Sequence, residues 1–276
     1  MVTATTTKFG GLSNRIKNIW SALVKYEDVK TTVDTDAYIF SSLEKVNTPI
    51  NPYPINWRLE VLDEEQKYLN EIGYKTIDLL YENTPKYFID KYLKSVEKLK
   101  INPDIEDRVN DFTSGWEDVI GLHVRSWYNE RSVLHNNKIF EEEIKNLSND
   151  RRIFLCSDNS DVINYFKQKY SNRIIVYPQD FHLQSPQLMH LLDSLDNSGT
   201  VIEDLQFVVN GFIDSLILSK CSTIVGTYGS TFTEVAWWFS RCKSNVIIPN
   251  PLNDFNKQFF ERFNRKIAPP SGFEFY

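Results

Sequence analysis

Five short apolar segments alternate with helical patterns between residues 118 and 250, and this alternation constrains the fold more than any other feature of the chain. The strand candidates are Val119–Val124, Arg152–Ser157, Arg173–Tyr177, Ser222–Gly226 and Asn245–Pro249. The helical stretches between them are Phe140–Asn146, Asp161–Tyr170, Leu205–Ser219 and Ser230–Ser240. Because strands that alternate with helices build parallel sheets, the pattern predicts an α/β domain with helices on both faces of its sheet.

The start of the chain predicts a second, smaller α/β pattern. A threonine-rich strand leads through a glycine turn at residues 10–15 into a helix with an apolar face. That face comprises Ile16, Ile19, Trp20 and Leu23. Strand, turn and helix start in this order place backbone amides at a positive helix end, where an anion binds; the alternative is a tight turn whose Ser13 or Asn14 caps the helix. Asp36–Phe40 is predicted as a further short strand, and residues 59–99 as two or three amphipathic helices.

Composition and charge exclude several classes of function. The 276 residues include 31 basic and 37 acidic side chains, a net charge of −6, which argues against nucleic acid as a partner but leaves a local anion site open. We expect no membrane span, since no run of about 18 apolar residues occurs, and the first residues lack the apolar core of a signal peptide. Three distant cysteines without a CxxC motif favour buried thiols, a cytoplasmic location and no zinc.

The segment Gly121–Tyr128 places two polar residues at the end of a predicted strand. His123 and Arg125 alternate with Leu122 and Val124, so their side chains project to one face of that strand. Arginine suits a diphosphate because its charge is permanent and its planar fork donates several hydrogen bonds. The alternative is an arginine that pairs with a carboxylate at the end of the strand.

Two more polar clusters lie later in the chain, one at 157–160 and one that extends from Asp214 to Thr233. Asp158 and Ser160 stand at the start of a helix, where either one can be its cap. Asp214 lies in an apolar helical segment, and burial of a carboxylate there is costly unless it meets a donor. Residues Gly226–Thr233 lead from a strand through small hydroxyl residues into a helix, which predicts a second anion-binding cradle.

Taken in order, these motifs resemble the fucosyltransferase superfamily. They are GGLSNR at 10–15, HVR at 123–125, Ser-Asp at 157–158 and FIDSLILSKCSTIVGTYGSTF at 212–232. The superfamily includes the alpha-1,6-fucosyltransferases, namely the nodulation and core-fucosylating enzymes, and the protein O-fucosyltransferases. The resemblance runs from Gly10 to about Trp238, and its last motif is the most specific.

The resemblance implies an α/β, GT-B-like fold, in which two Rossmann-like domains face each other across a cleft and the C-terminal donor domain holds a parallel sheet. We assign residues 1–116 to an N-terminal, acceptor-side domain with a helical segment, and residues 117–250 to the domain that binds the nucleotide sugar. Residues 251–276 are expected to pack back on the N-terminal domain. Because the first domain is small for the family, we do not expect a large folded protein as the acceptor.

The activity implied is an inverting, metal-independent transfer of fucose from GDP-fucose to a glycan or small saccharide. Arg125 would hold the β-phosphate and neutralise the leaving diphosphate. His123 and Asp214 would bind the guanine, and Asp158 would lie near the nucleotide. The other implied donor-binding residues are Gly10, Gly11, Asn14, Arg15, Ser230, Thr231 and Phe232. No cofactor is implied beyond the GDP-fucose donor.

The loop after Arg125 both supports and departs from the family pattern. Glu130 is the candidate general base, because the core-fucosylating enzymes place a glutamate in this loop at a slightly longer spacing; a solvated loop carboxylate is the alternative. The alpha-1,6 members usually carry a second arginine where this chain has Ser126, which leaves the linkage open. No Asp-x-Asp metal motif ends a strand, so an arginine would replace the role of a metal.

Three rival functions stay open at this point. They are a glycosyltransferase for another nucleotide sugar, a sugar-nucleotide- or glycan-binding protein without catalysis, and a dehydrogenase. The dehydrogenase is the least supported, because no GxGxxG follows a strand with an acidic residue about 20 positions later.

Overall fold

The structure is a computed structural model that describes residues 3–7, 11–54, 67, 86–125, 137–147, 150–178, 205–227 and 230–249. It divides into two compact units, one within residues 1–109 and the other within residues 110–261. The functional assignment of the two predicted domains stays a prediction. Residues 251–276, which are predicted to pack back on the N-terminal domain, lie outside the described residues.

The first unit contains a three-stranded parallel sheet of order β1-β2-β3. Its elements in chain order are β1 (Thr3–Thr6), α1 (Leu12–Lys25), β2 (Asp28–Thr31), α2 (Asp34–Ile39), β3 (Glu44–Lys45) and α3 (Lys86–Lys98), followed by α4 (Pro103–Thr113), which runs into the second unit. The predicted strand and helix at the start of the chain are confirmed, and the apolar face of α1 is buried, while residues 8–10 of the predicted turn region lie outside the described residues. Helix α3 confirms the helical prediction for residues 86–98, while most of residues 59–85 lie outside the described residues.

The predicted strand Asp36–Phe40 is wrong, because these residues belong to helix α2 and its C-cap. Within this segment Thr35, Asp36 and Ile39 are buried, which is the spacing of a helix face and not the alternation of a strand. Asp34 and Asp36 in the first turn favour the positive end of the helix dipole. The β-branched and aromatic residues suggested a strand. The acidic residues in the first turn and the buried ion pair of Asp36 with Arg15 stabilise a helix instead.

The second unit is built on a five-stranded parallel sheet of order β6-β5-β4-β7-β8. Its strands are β4 (Ile120–Val124), β5 (Ile153–Ser157), β6 (Ile174–Ile175), β7 (Thr223–Val225) and β8 (Asn245–Ile247). Its helices are α5 (Asn137–Leu147), α6 (Ser160–Tyr170), α7 (Leu205–Ser219) and α8 (Thr231–Phe239). All five predicted strands and all four predicted helices are confirmed, with strands shorter than the apolar runs. The prediction of a parallel α/β sheet is therefore confirmed.

The central strand β4 packs closely against helix α7. Gly121 allows this approach, because a Cβ atom at that position would come within 2.5 Å of Leu218 Cδ1 and 3.2 Å of Cys221 Sγ. On both sides of Gly121, Ile120 and Leu122 are fully buried in the core. A glycine in the middle of a strand commonly marks such a contact, and here it sets the distance between α7 and the sheet.

The amino-terminal edge of this sheet is fastened by a polar cluster. Arg151, just before β5, donates to Asp118 Oδ1 at 2.5 Å and to Ser222 Oγ at 2.8 Å. Ser222 in turn donates to the same Asp118 oxygen at 2.7 Å. Because these residues precede β5, β4 and β7, the cluster aligns the amino-terminal ends of three strands. The candidate site residues lie at the carboxyl ends of the strands.

The cysteines are buried thiols, as predicted. Burial raises the pKa of Cys156 well above its ordinary value, and burial likewise raises the pKa of Cys221. Among the described residues, no helix has the length and apolar character needed to cross a bilayer.

Helices α5 and α6 are joined by a buried carboxylate. Glu141 is 4% exposed and accepts hydrogen bonds from Tyr165 and Lys169. Burial alone would raise the pKa of Glu141, but the hydrogen bonds and the charge of Lys169 outweigh it, so that the pKa is lowered. The hydrogen bond to Glu141 raises the pKa of Lys169. The charged form of each partner is therefore favoured by folding.

We expect Glu141→Gln to lower the free energy of unfolding at pH 7 by about 1–3 kcal/mol, because the Lys169 ammonium loses its charged acceptor. The pKa of Glu141 is depressed by folding, so its contribution is present above the unfolded pKa and is lost as the pH falls through the folded one. Urea unfolding at pH 7 and near pH 4 should therefore show a wild-type advantage that shrinks in acid. Glu142→Gln, at an exposed neighbouring position, is the control; an equal loss in both variants would contradict the prediction.

Candidate functional site

The candidate site lies at the carboxyl edge of the second unit's sheet. The order β6-β5-β4-β7-β8 means that the chain continues from β4 to one side and later returns to its other side. The carboxyl ends of β4 and β7 therefore flank the point at which the strand order reverses. In open α/β sheets, ligands bind at this switch point.

His123 is held from two sides at the end of β4. It is 4% exposed, its Nδ1 lies 2.8 Å from Thr233 Oγ1, and its ring stacks on Phe232 at a centroid distance of 4.6 Å. Phe232 and Thr233 come from the first turn of α8. The structure thus brings together His123 and Phe232, both of which the family resemblance implies as donor-binding residues.

Arg125 and Asp158 form an ion pair, with 3.2 Å between Arg125 Nε and Asp158 Oδ2. This is the pairing with a carboxylate that the sequence left open as an alternative, and its partner is a residue predicted for the same site. The side chains are 37% and 23% exposed, so the pair is accessible to solvent. A guanidinium has five N–H donors, so it can bind a carboxylate and a second anion at the same time.

Thr227 fastens β4 beyond the last residue paired with β7. The strand pairing ends at Leu122 with Val225, but the hydroxyl of Thr227 donates to His123 O and accepts from Arg125 N, both at 2.8 Å. In a parallel ladder one residue of the neighbouring strand makes these two bonds with its own backbone. The hydroxyl of Thr227 thus replaces a backbone partner and holds the two site residues in register.

The start of α8 contacts this edge through its first turn. Ser230 is the N-cap but its side chain makes no capping hydrogen bond, and its N–H donates to Thr227 O at 3.2 Å. Thr231 and Phe232 are the next two residues and are partly exposed. Because the N–H groups of a first helical turn lack partners within the helix, this end is suited to an anion.

Asp214 lies in α7, the helix that packs on β4, and is 7% exposed. The helix α7 contacts both β4 and β5, so Asp214 lies on the element that covers these two strands. Burial, and next to it the charge of Asp214, raise the pKa of Cys156 in β5. Ser215, next to Asp214, is 2% exposed, and its hydroxyl makes no hydrogen bond to the described residues.

The predicted residues of the first unit have different surroundings. Arg15 is 2% exposed and donates to Asp36 Oδ1 at 2.9 Å and to Thr35 Oγ1 at 3.2 Å. Asn14 has a buried Oδ1 without a hydrogen bond to the described residues, and Gly11 is the exposed N-cap of α1. The ion pair gives Arg15 a structural role between α1 and α2, and its predicted approach to a diphosphate stays a prediction.

Two of the predicted residues, Gly10 and Glu130, lie outside the described residues. Within the part of the chain that the structure describes, no group of three or more His, Cys, Asp or Glu side chains could hold a metal ion.

The sequence missed Thr227 and Thr233 as individual site residues. Each makes its decisive contact with β4, more than 100 residues earlier in the chain. The sequence signals available for them were a threonine that follows the predicted strand Ser222–Gly226 and a second threonine in the first turn of α8. A hydroxyl at either place reads from sequence alone as a cap or a turn residue.

The fold is the α/β fold of the GT-B glycosyltransferases. Within it, the chain is similar to the structure of the NodZ alpha-1,6-fucosyltransferase soaked with GDP-fucose, at 14% identity and a TM-score of 0.54, with 100% of this chain and 99% of that one covered. For NodZ co-crystallised with GDP, the values are 15% identity, a TM-score of 0.52, and 86% and 92% coverage. For the fucosyltransferase NodZ from Bradyrhizobium they are 16%, 0.51, and 86% and 92%.

These likenesses confirm the predicted resemblance at the level of the fold. No family model and no curated protein sequence matches the chain. How the two units lie relative to each other stays a prediction.

We expect Thr227→Val to lower the free energy of unfolding by roughly 1–3 kcal/mol, because His123 O and Arg125 N lose their shared buried partner. The amide of Arg125 should also exchange its hydrogen faster, which native-state exchange followed by NMR would measure. Thr227→Ser keeps the hydroxyl and is the matched control. Unchanged protection of the Arg125 amide in the valine variant would contradict the role assigned to Thr227.

Proposed function

We propose that this chain is a glycosyltransferase that transfers fucose from GDP-fucose to a glycan or small saccharide. The proposal rests mainly on one observation, the accessible Arg125 at the carboxyl end of β4, two residues after His123, whose ring contacts the first turn of α8. The fold supports it, because the structures that share it include an alpha-1,6-fucosyltransferase with GDP and with GDP-fucose.

The proposed reaction inverts the anomeric carbon of the sugar. The acceptor oxygen forms a bond to that carbon, the bond from the carbon to the diphosphate oxygen breaks, and its electron pair leaves with GDP. The acceptor proton passes to a general base, for which Glu130 is the candidate. We also propose that the reaction needs no metal and occurs in the cytoplasm.

Arg125 is proposed to stabilise the departing diphosphate. Negative charge develops on GDP in the transition state, and a fixed guanidinium lowers the barrier where that charge appears, by about 3 kcal/mol. Asp158 would hold the guanidinium at the strand end until the donor arrives. The amides of Ser230 and Thr231 at the start of α8 would add donors and a favourable dipole.

The guanine is proposed to bind beside β4. A carboxylate accepts hydrogen bonds from the guanine N1–H and exocyclic amine, which is the role proposed for the buried Asp214. His123 would contact the same base, and Phe232, stacked on His123, would line the pocket. Gly10, Gly11, Asn14 and Arg15 are retained as candidates for the first unit's approach to the diphosphate.

GDP should raise the melting temperature of the purified protein, whereas UDP and ADP at equal concentration should do so much less. The reason is that a ligand that binds only the folded state stabilises it by mass action, by about 2.7 kcal/mol at 100 times its Kd. The titration is carried out with chelator present, so that it also tests binding without a divalent metal. Equal shifts for GDP and UDP would favour the rival with another nucleotide sugar, and no shift would contradict the proposal.

Arg125→Ala should reduce the rate of fucose transfer by roughly 100- to 1000-fold while the melting temperature stays near that of the wild type. The measurement is the release of GDP from GDP-fucose with a panel of saccharide acceptors. Arg152→Ala removes the same charge from an exposed position before β5 and is the control. Binding of GDP without transfer by the wild type on any acceptor would favour the rival of a non-catalytic binding protein.

A further inference from the structure

We infer that Thr233 is a positioning residue that fixes the hydrogen-bonding state of His123, with the proton of a neutral imidazole on Nε2. Thr233 is fully buried, and its Oγ1 lies 2.8 Å from Nδ1 of the nearly buried His123. The consequence of this arrangement for a ligand rests on the proposed function, but the arrangement itself can be measured without any ligand.

The position of the Thr233 side chain is determined by Gly226 at the end of β7. A Cβ atom at residue 226 would come within 2.7 Å of Thr233 Oγ1 and 3.0 Å of Thr233 Cβ. The side chain therefore occupies the space that a larger residue at 226 would fill. Phe232, the residue before it, stacks on the face of the imidazole at an interplanar angle of 29°. The ring of His123 is thus held on its face by one residue of α8 and at Nδ1 by the next.

The proton follows from the chemistry of the two groups. A threonine hydroxyl has one proton to donate, and in donating it to Nδ1 it satisfies both buried groups with one bond. The reverse direction would require a further acceptor for the hydroxyl proton, and His123 is the hydrogen-bond partner of this hydroxyl among the described residues. In a neutral ring that accepts at Nδ1, the proton lies on Nε2, so the hydroxyl of Thr233 selects this form over the one with Nδ1–H.

A ring with Nε2–H presents a donor to the nucleotide. Guanine offers acceptors at O6 and N7, whereas adenine has a donor, its N6 amine, in place of O6. A fixed donor from His123 therefore favours guanine over adenine, and Thr233 contributes to this specificity without contact with the base. The other neutral form of the ring would present an acceptor, which suits the adenine N6 amine and not the guanine O6.

The first experiment measures the ring directly in the ligand-free protein. With ¹⁵N-labelled histidine, NMR distinguishes protonated from unprotonated ring nitrogens, and His123→Gln identifies which signals belong to this residue. We expect Nδ1 unprotonated and Nε2 protonated in the wild type and in Thr233→Ser, and a mixture of both neutral forms in Thr233→Val. A protonated Nδ1 in the wild type, or no change in a folded valine variant, would overturn the inference. If the valine variant does not fold, the wild-type spectrum alone decides.

The second experiment measures the ratio of GDP to ADP affinity by calorimetry. Thr233→Val should reduce that ratio roughly tenfold, or about 1.4 kcal/mol, while Thr233→Ser keeps it. A merely structural loss would weaken both nucleotides equally and would overturn the specificity role. If the wild type binds neither nucleotide, the proposed function fails, whereas the ring measurement still tests the state of His123.

Discussion

A single hydroxyl, that of Thr227, holds together the edge on which the candidate site is built. The backbone pairing of β4 with β7 ends one residue before His123, and from there the side chain of Thr227 takes over both hydrogen bonds. Ser230, three residues after Thr227 in the chain, is the N-cap of α8. Because a side chain makes these bonds, β4 keeps a partner through Arg125 after its backbone pairing with β7 has ended.

Two glycines bring the surrounding elements close enough to complete this arrangement. Gly121 lets α7, which carries Asp214, approach the central strand, and Gly226 leaves space for Thr233 of α8. Both positions would be crowded by a Cβ atom, with distances of 2.5 Å to Leu218 Cδ1 and 2.7 Å to Thr233 Oγ1. The chemistry proposed for the site therefore depends on residues that carry no functional group of their own.

The sequence was sufficient for much of the second unit, because the central strands β4, β5 and β7 are buried and its helices are amphipathic or apolar. It failed at Asp36, where a short run of strand-forming residues is overridden by a buried pair with Arg15 that no local pattern reveals. It identified Arg125 and Asp158 separately, but their ion pair depends on the order of strands in the sheet. Thr227 and Thr233 were missed for the same reason, since each acts on a strand distant in the chain.

The buried thiols have a consequence for how the protein can be studied. Thiolates, not thiols, react with alkylating reagents, and burial both shields Cys156 and Cys221 and raises their pKa. These side chains lie in β5 and just before β7, in the sheet that carries the candidate site. Alkylation therefore requires local opening of the sheet, so the rate of labelling measures how often the core opens.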